Sequence, residues 1–158
     1  MSSNLLLPNK YKRIGWSILI PAIILGIISI ITDFESFPVK TKVFALINGA
    51  FPEKNQYFTF INTNITITVI GILFIIGALL VGFSKEEKED EFIAKLRLSS
   101  MLWAVIVNYI LLLLSFIFVY GDAFLQVMLY NLFTVMIIFI ARFNYILYRS
   151  SKSVYDEK

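Results

Sequence analysis

Residues 101–141, MLWAVIVNYILLLLSFIFVYGDAFLQVMLYNLFTVMIIFIA, contain one charged side chain, that of Asp122, which directly follows Gly121. The apolar runs before and after this pair each supply the roughly 20 helical residues that cross the hydrocarbon core of a bilayer. A Gly-Asp turn is short, so the helices it joins must be antiparallel neighbours. The stretch therefore predicts transmembrane helices over residues 101–120 and 123–141.

Two further charge-free apolar runs occupy the first half of the chain and predict helices over residues 14–31 and 65–83. Of the 158 residues, 58% are hydrophobic, whereas soluble domains are typically about 45–50% apolar. The predicted fold class is all-α. We expect a polytopic membrane protein, a single membrane domain over residues 1–158, with four transmembrane helices in an antiparallel bundle.

The basic residues predict the orientation of this bundle. Most lysines and arginines precede the first span, separate the second and third, or follow the fourth. Only Lys40, Lys42 and Lys54 fall on the other side. Because loops rich in Lys and Arg stay in the cytoplasm, we expect both termini to be cytoplasmic in a multi-pass protein of the cell membrane.

The segment between the first two spans predicts a short outer helix over residues 37–50. Ser36 is a candidate N-cap, and Pro38 suits the first turn. One face of the helix would be apolar, formed by Val39, Val43, Leu46, Ile47 and Ala50. Such an amphipathic helix lies on the membrane surface, where it either seals the outer mouth of the bundle or acts as a lid or ligand sensor.

Small residues recur on the first two spans with spacings of seven and four, in mirrored order. These spacings keep each set on one helix face. In antiparallel register Gly15 meets Gly82, and Gly26 meets Gly71. Small side chains let membrane helices approach closely, so we expect helix packing through Gly15, Ala22, Gly26, Gly71, Ala78 and Gly82.

The last two spans carry polar side chains that admit two interpretations. Antiparallel pairing about the turn places Asn108 level with Thr134, with Asn131 about one turn away. Hydrogen bonds between membrane helices contribute about 0.6 kcal/mol each, so these groups can hold the helices together. They can instead line a polar path formed by Asn108, Gln126, Asn131 and Thr134.

The most distinctive polar stretch is residues 84–100, SKEEKEDEFIAKLRLSS. Ser84 and Glu87 fit a capping box, which predicts a cytoplasmic juxtamembrane helix over residues 85–100 that continues into the third span. Its acids are either a solvated helix start or part of a docking surface. The candidate docking residues are Glu87, Asp90, Glu91, Phe92, Ile93 and Leu96.

The composition narrows the chemistry. Cysteine and histidine are both absent, which removes thiol nucleophiles, the commonest general base and the commonest transition-metal ligand. No span contains a carboxylate that could activate a hydroxyl. We therefore predict no catalytic residue, no cofactor and no metal site, and a protein that is not an enzyme. The basic residues lie at helix ends, which indicates membrane orientation rather than direct nucleic-acid binding.

Several short motifs carry a family resemblance over about the C-terminal half of the chain. They are Asp90–Arg97, Asn108–Tyr109, Tyr120–Gly121, Val127–Thr134 and Arg142–Phe143. The chain resembles a group of uncharacterised small four-helix membrane proteins from Bacteroidetes-type bacteria, which implies a bacterial inner membrane. More loosely, the acidic segment is similar to those of small membrane proteins paired with helix-turn-helix regulators. That likeness implies a membrane partner that holds or releases a regulator.

These observations predict a regulatory or scaffolding protein of the lipid bilayer that docks a cytoplasmic protein partner through its acidic juxtamembrane helix. The alternative is a small channel or transporter. This alternative would be a homo-oligomer lined by Asn108, Gln126, Asn131 and Thr134.

Overall fold

The computed structural model describes residues 6–32, 38–49, 56–87 and 89–156. This part of the chain is mostly helical and contains one two-stranded sheet. In chain order its elements are α1 (Lys10–Ile31), β1 (Lys40–Asn48), β2 (Gln56–Asn64), α2 (Thr66–Gly82), α3 (Glu91–Phe118) and α4 (Asp122–Asp156).

The four helices occupy the positions predicted from the apolar runs. α1, α3 and α4 are long and apolar enough to cross a membrane. α2 contains no charged residue but has only 17 residues. The prediction of long apolar helices compatible with a membrane protein is therefore confirmed for three of them.

The outer amphipathic helix predicted over residues 37–50 is wrong, and so is the all-α class in this respect. Residues 40–48 form β1, which pairs with β2 in an antiparallel register from Lys40–Asn64 to Asn48–Gln56. Both strands are rich in β-branched and aromatic side chains, which favour a pleated sheet. Ser36 and Ala50, the proposed ends of that helix, lie outside the described residues.

One face of this hairpin is aromatic and exposed. The ring of Phe44 lies 5.3 Å from that of its partner Phe60 and 6.4 Å from that of Phe58. The Lys42 ammonium lies 5.7 Å from the centre of the Phe60 ring. Phe58 has a φ of 52°, a left-handed conformation that is strained for a bulky side chain. The hairpin therefore presents its aromatic rings to its surroundings instead of to a core.

Contacts divide the chain into two compact units, one of Met1–Ser17 with Ile75–Lys158 and the other of Ile18–Phe74. In the second unit, the Asn64 carboxamide oxygen accepts hydrogen bonds from the Thr66 amide and hydroxyl at the start of α2. In the first unit, α3 packs against α4. The chain reverses between them at Gly121, whose φ of 69° is one that glycine adopts readily.

The small residues of α1 and α2 are buried or half-buried, but their partners differ from the expected register. Gly15 lies against the Leu80–Val81 peptide, where an added Cβ would be 2.9 Å from the Val81 nitrogen. The open side of Gly82 faces the Phe139 ring on α4, not Gly15. Ala22 and Ala78 are buried, and Gly71 is half-buried.

Substitution of α1 glycines by alanine should separate close packing from helix propensity. Gly15→Ala places a methyl group against backbone, so we expect it to destabilise the protein by about 1–3 kcal/mol. Gly26→Ala places its methyl group 3.7 Å from Ile70 Cγ2, an ordinary contact. Because alanine favours helix by up to about 1 kcal/mol, this variant should be neutral or more stable. Thermal unfolding in detergent measures both, and equal effects would contradict the close approach at Gly15.

Candidate functional site

The polar residues of the last two spans are mostly satisfied within the protein. Asn108 and Asn131 exchange hydrogen bonds, with amide-to-carbonyl distances of 3.0 and 3.2 Å. The Thr134 hydroxyl donates to the carbonyl of Tyr130, and Gln126 is exposed. Asn108 therefore pairs with Asn131. This partner lies about one helical turn from Thr134, the residue that was expected to be level with Asn108. The reciprocal amide pair links α3 to α4 directly.

The start of α3 differs from the predicted juxtamembrane helix over residues 85–100, because the helix begins only at Glu91. The Asp90 carboxylate, not the Ser84 hydroxyl, caps it by accepting the Ile93 amide at 2.8 Å. The Ser84 hydroxyl donates instead to the carbonyl of Leu80, in the last turn of α2. The predicted capping box is therefore wrong, because the Ser84 hydroxyl bonds to the end of α2 and not to the start of α3.

The six candidate docking residues separate into exposed and buried sets. Glu87, Asp90 and Glu91 are exposed, and Phe92 retains 53% of its surface. Ile93 and Leu96 are each 8% exposed and belong to the buried face of α3. These two therefore contribute to packing, and the expected apolar patch reduces to Phe92 beside exposed acids.

The remaining acids of this stretch are held in ion pairs. The Arg97 guanidinium donates to both carboxylate oxygens of Glu89, at 2.6 and 3.2 Å, and to the carbonyl of Ser84 at 3.2 Å. Lys12 on α1 pairs with Glu86 at 2.5 Å. Arg97 is only 8% exposed, so these four charged residues form a largely buried group, here named the charge cluster: Lys12, Glu86, Glu89 and Arg97.

The segment before α1 is fastened to the same place. Leu7 forms a parallel bridge with Ser84, in which the Leu7 amide donates to Phe83 and its carbonyl accepts from Lys85. The Asn9 side chain donates to the Lys85 carbonyl at 2.8 Å. Residues before α1 and after α2 therefore form one hydrogen-bonded layer beside the charge cluster.

An aromatic ring lies close to both cations of the cluster. Phe143 on α4 is 1% exposed, and its ring centre lies 5.2 Å from the Arg97 guanidinium carbon and 5.9 Å from the Lys12 nitrogen. A ring face attracts cations, so Phe143 stabilises both charges in addition to their carboxylate partners. Through this ring, α4 joins the group that connects α1 with α3.

The electrostatics of Glu89 follow from these neighbours. Burial alone would raise the pKa of its carboxyl. Hydrogen bonds from Arg97 and from the Glu86 backbone amide, with the positive charges of Arg97 and Lys85, lower that pKa below its ordinary value. Glu89 therefore stays ionised and holds Arg97 in place throughout the neutral range.

The charge cluster is a structural arrangement, and the acids Glu87, Asp90 and Glu91 remain exposed beside it. In the part of the chain that the structure describes, no three carboxylates are grouped so as to hold a metal ion. Sequence reasoning missed Arg97, Lys12 and Phe143. A signal for Arg97 existed, because it shares a three-to-four residue spacing with Ile93, Ser100 and Ala104 on the buried face of α3.

The lowered pKa of Glu89 predicts a loss of stability in acid. Its stabilising effect should be complete above the ordinary carboxyl value near 4.5 and decline as the pH falls through the lower, folded-state pKa. Glu89→Gln should remove this pH dependence and lower stability at neutral pH by about 3 kcal/mol, because Arg97 stays buried without its carboxylate.

Thermal unfolding in detergent across this pH range checks the prediction. Glu91→Gln is the matched control, since Glu91 pairs with Lys95 in an exposed ion pair that should contribute little. Equal stability and equal pH dependence of the two variants would show that the charge cluster does not depend on Glu89.

Comparison with known protein families, with curated proteins and with solved structures finds no match for the chain. The resemblance to small membrane proteins of Bacteroidetes-type bacteria stays a prediction from its motifs. A function for the chain therefore rests on its own residues and their geometry.

Proposed function

We propose that this chain is a non-enzymatic protein of a bacterial inner membrane that crosses the bilayer four times, with both termini in the cytoplasm. Three helices have the necessary length and apolarity. The fourth, α2, is about 25 Å long at 1.5 Å per residue, and it is flanked by apolar Ile65 and Phe83. Helices of about 17 residues suffice to span a bilayer.

Single cysteines can test the number of crossings, because the natural chain contains no cysteine. Leu46→Cys lies on the exposed hairpin and Glu87→Cys among the exposed acids. If α2 crosses the membrane, an impermeant maleimide should label position 46 and not position 87 in intact spheroplasts.

Asp122→Cys serves as the reference for the outer side, and labelling of lysed cells shows that each cysteine can react. Positions 46 and 87 would respond alike if α2 did not cross, which would contradict four spans.

On the cytoplasmic side, we propose that the protein docks a regulator or another soluble partner through its acidic rim, defined as Glu87, Glu91 and Phe92. The observation that carries this proposal is the exposure of all three on a segment that the charge cluster holds in place. A pre-ordered surface loses little conformational entropy on binding. An exposed aromatic side chain beside like charges is suited to an apolar pocket with a basic border.

Asp90 is better excluded from the docking set, although it is also exposed. Its carboxylate caps α3, and replacing such a cap costs about 1 kcal/mol of helix stability. An effect of Asp90 substitution on binding would therefore mix docking with folding.

Photocrosslinking in intact cells tests the docking proposal. With a photoreactive residue at position 95, beside the rim, we expect one dominant soluble protein to be captured. The double change Glu87→Lys with Glu91→Lys should reduce capture at least tenfold, because it reverses the charge that the partner meets.

Asp122→Lys is the control, since it reverses an exposed acid at the other end of the α3–α4 pair. Membrane levels of all variants should be equal. Capture that is unchanged by the rim substitutions would refute docking through these residues.

The alternative, an oligomeric channel or transporter, draws support from one observation. Gln126 is exposed on a helix that could cross a membrane, and such a side chain can contact another copy or a polar path. Asn108 and Asn131, however, already bond to each other. A path lined by both would require that pair to open, so the pairing favours helix association.

A further inference from the structure

Three buried polar atoms near the charge cluster have no hydrogen-bond partner in the part of the chain that the structure describes. They are Nε of Arg97, Oγ of Ser100 and Nη1 of Arg142. All three can donate a hydrogen bond. Buried donors without acceptors are rare in folded proteins, so three of them in one region indicate an absent acceptor.

The helix contacts bring these groups to one stretch of the α3–α4 interface. Arg97 and Ser100 lie on the buried face of α3, and Trp103, which is exposed, follows Ser100 by three residues. The Arg97 guanidinium carbon lies 5.2 Å from the Phe143 ring centre, and that of Arg142 lies 4.6 Å from the Trp103 ring centre. The second contact brings the Arg142 guanidinium beside the turn of α3 that contains Ser100 and Trp103.

The hydroxyl of Ser100 is available for a ligand. Serines in helices commonly donate to the carbonyl four residues earlier, and Ser17 and Ser115 do so here. Ser100 is 0% exposed and makes no such bond. Its buried hydroxyl therefore has no hydrogen-bond partner among the described residues.

The charge of Arg142 also lacks an anion. Among the described residues, the ion pairs are Lys12–Glu86, Lys95–Glu91 and Arg97–Glu89. Arg142 is half-buried, and none of the ion pairs in the described part of the chain includes it; its guanidinium lies over the Trp103 ring. A partly desolvated guanidinium with only a π face beside it is an incomplete site, since an anion would satisfy both its charge and its free N–H groups.

We propose that Arg142, Ser100 and Nε of Arg97 bind a phosphate group, supplied by an anionic phospholipid headgroup or by free inorganic phosphate. Guanidinium groups and a hydroxyl match the several acceptor oxygens of a phosphate. Trp103 is 49% exposed, and its neighbours Leu102 and Ile106 on α3 are exposed as well. An acyl chain can lie along this apolar strip, and basic sites between membrane helices favour lipid headgroups.

Thermal unfolding of the delipidated full-length protein in neutral detergent tests the proposal. The probes are phosphatidylglycerol, phosphatidylcholine and inorganic phosphate, the last compared with chloride at matched ionic strength. We expect phosphatidylglycerol to raise the unfolding temperature of the wild type and Arg142→Gln to abolish that rise. Arg149→Gln is the matched control, because Arg149 lies further along α4 and is exposed.

Ser100→Ala distinguishes ligand binding from packing. Without lipid, this variant should be as stable as the wild type or more so, because it removes a buried hydroxyl that has no partner. With phosphatidylglycerol, its stabilisation should be smaller than that of the wild type. A merely structural serine would not produce this difference.

The outcomes identify the source of the phosphate. Protection by phosphatidylglycerol alone, dependent on Arg142, assigns the site to a lipid headgroup, whereas Arg142-dependent protection by inorganic phosphate assigns it to the free ion. The absence of both, or equal protection of wild type and Arg142→Gln, would overturn the proposal. These variants leave Glu87, Glu91 and Phe92 unchanged, so the result is independent of partner docking.

Discussion

The ion pair between Arg97 and Glu89 determines how the polar end of the first unit is built. A buried guanidinium requires a carboxylate, and Glu89 lies eight residues earlier, too far for a neighbour on one helix. The chain must therefore leave the helical conformation before Asp90, which is why α3 begins at Glu91. Between α2 and α3, the Glu86 amide donates to the Glu89 carboxylate and the Glu86 carboxylate accepts from Lys12. One buried cation thus accounts for the helix start, the acids around it and the attachment of α1.

The helices could be predicted from the sequence because each depends on a local, charge-free apolar run such as residues 101–141. The hairpin could not be predicted in the same way. Residues 40–48 are compatible with a helical apolar face through Val43, Leu46 and Ile47, and equally with the alternation of a strand. Pairing with residues 56–64 decides in favour of the strand. This contact joins two separate segments, so the pattern of either segment alone does not predict it.

The candidate site was predictable only in part. The burial of Arg97 follows from its place on the apolar face of α3, together with Ile93 and Ser100. The partner of each acid does not follow, because Lys12 and Glu86 are separated by 74 residues and meet only when α1 and α2 are packed. For the same reason, composition alone could not show that Glu86 and Glu89 form ion pairs while Glu87 is exposed. An acidic run indicates a polar surface, and the tertiary contacts decide which acids remain on it.

The length of α4 has a mechanical consequence. Its 35 residues extend about 52 Å at 1.5 Å per residue, whereas the hydrocarbon core of a bilayer is about 30 Å thick. A continuous helix resists stretching, because any extension breaks its backbone hydrogen bonds. The helix therefore holds the residues near Asp156 at a fixed distance from the Gly121 turn.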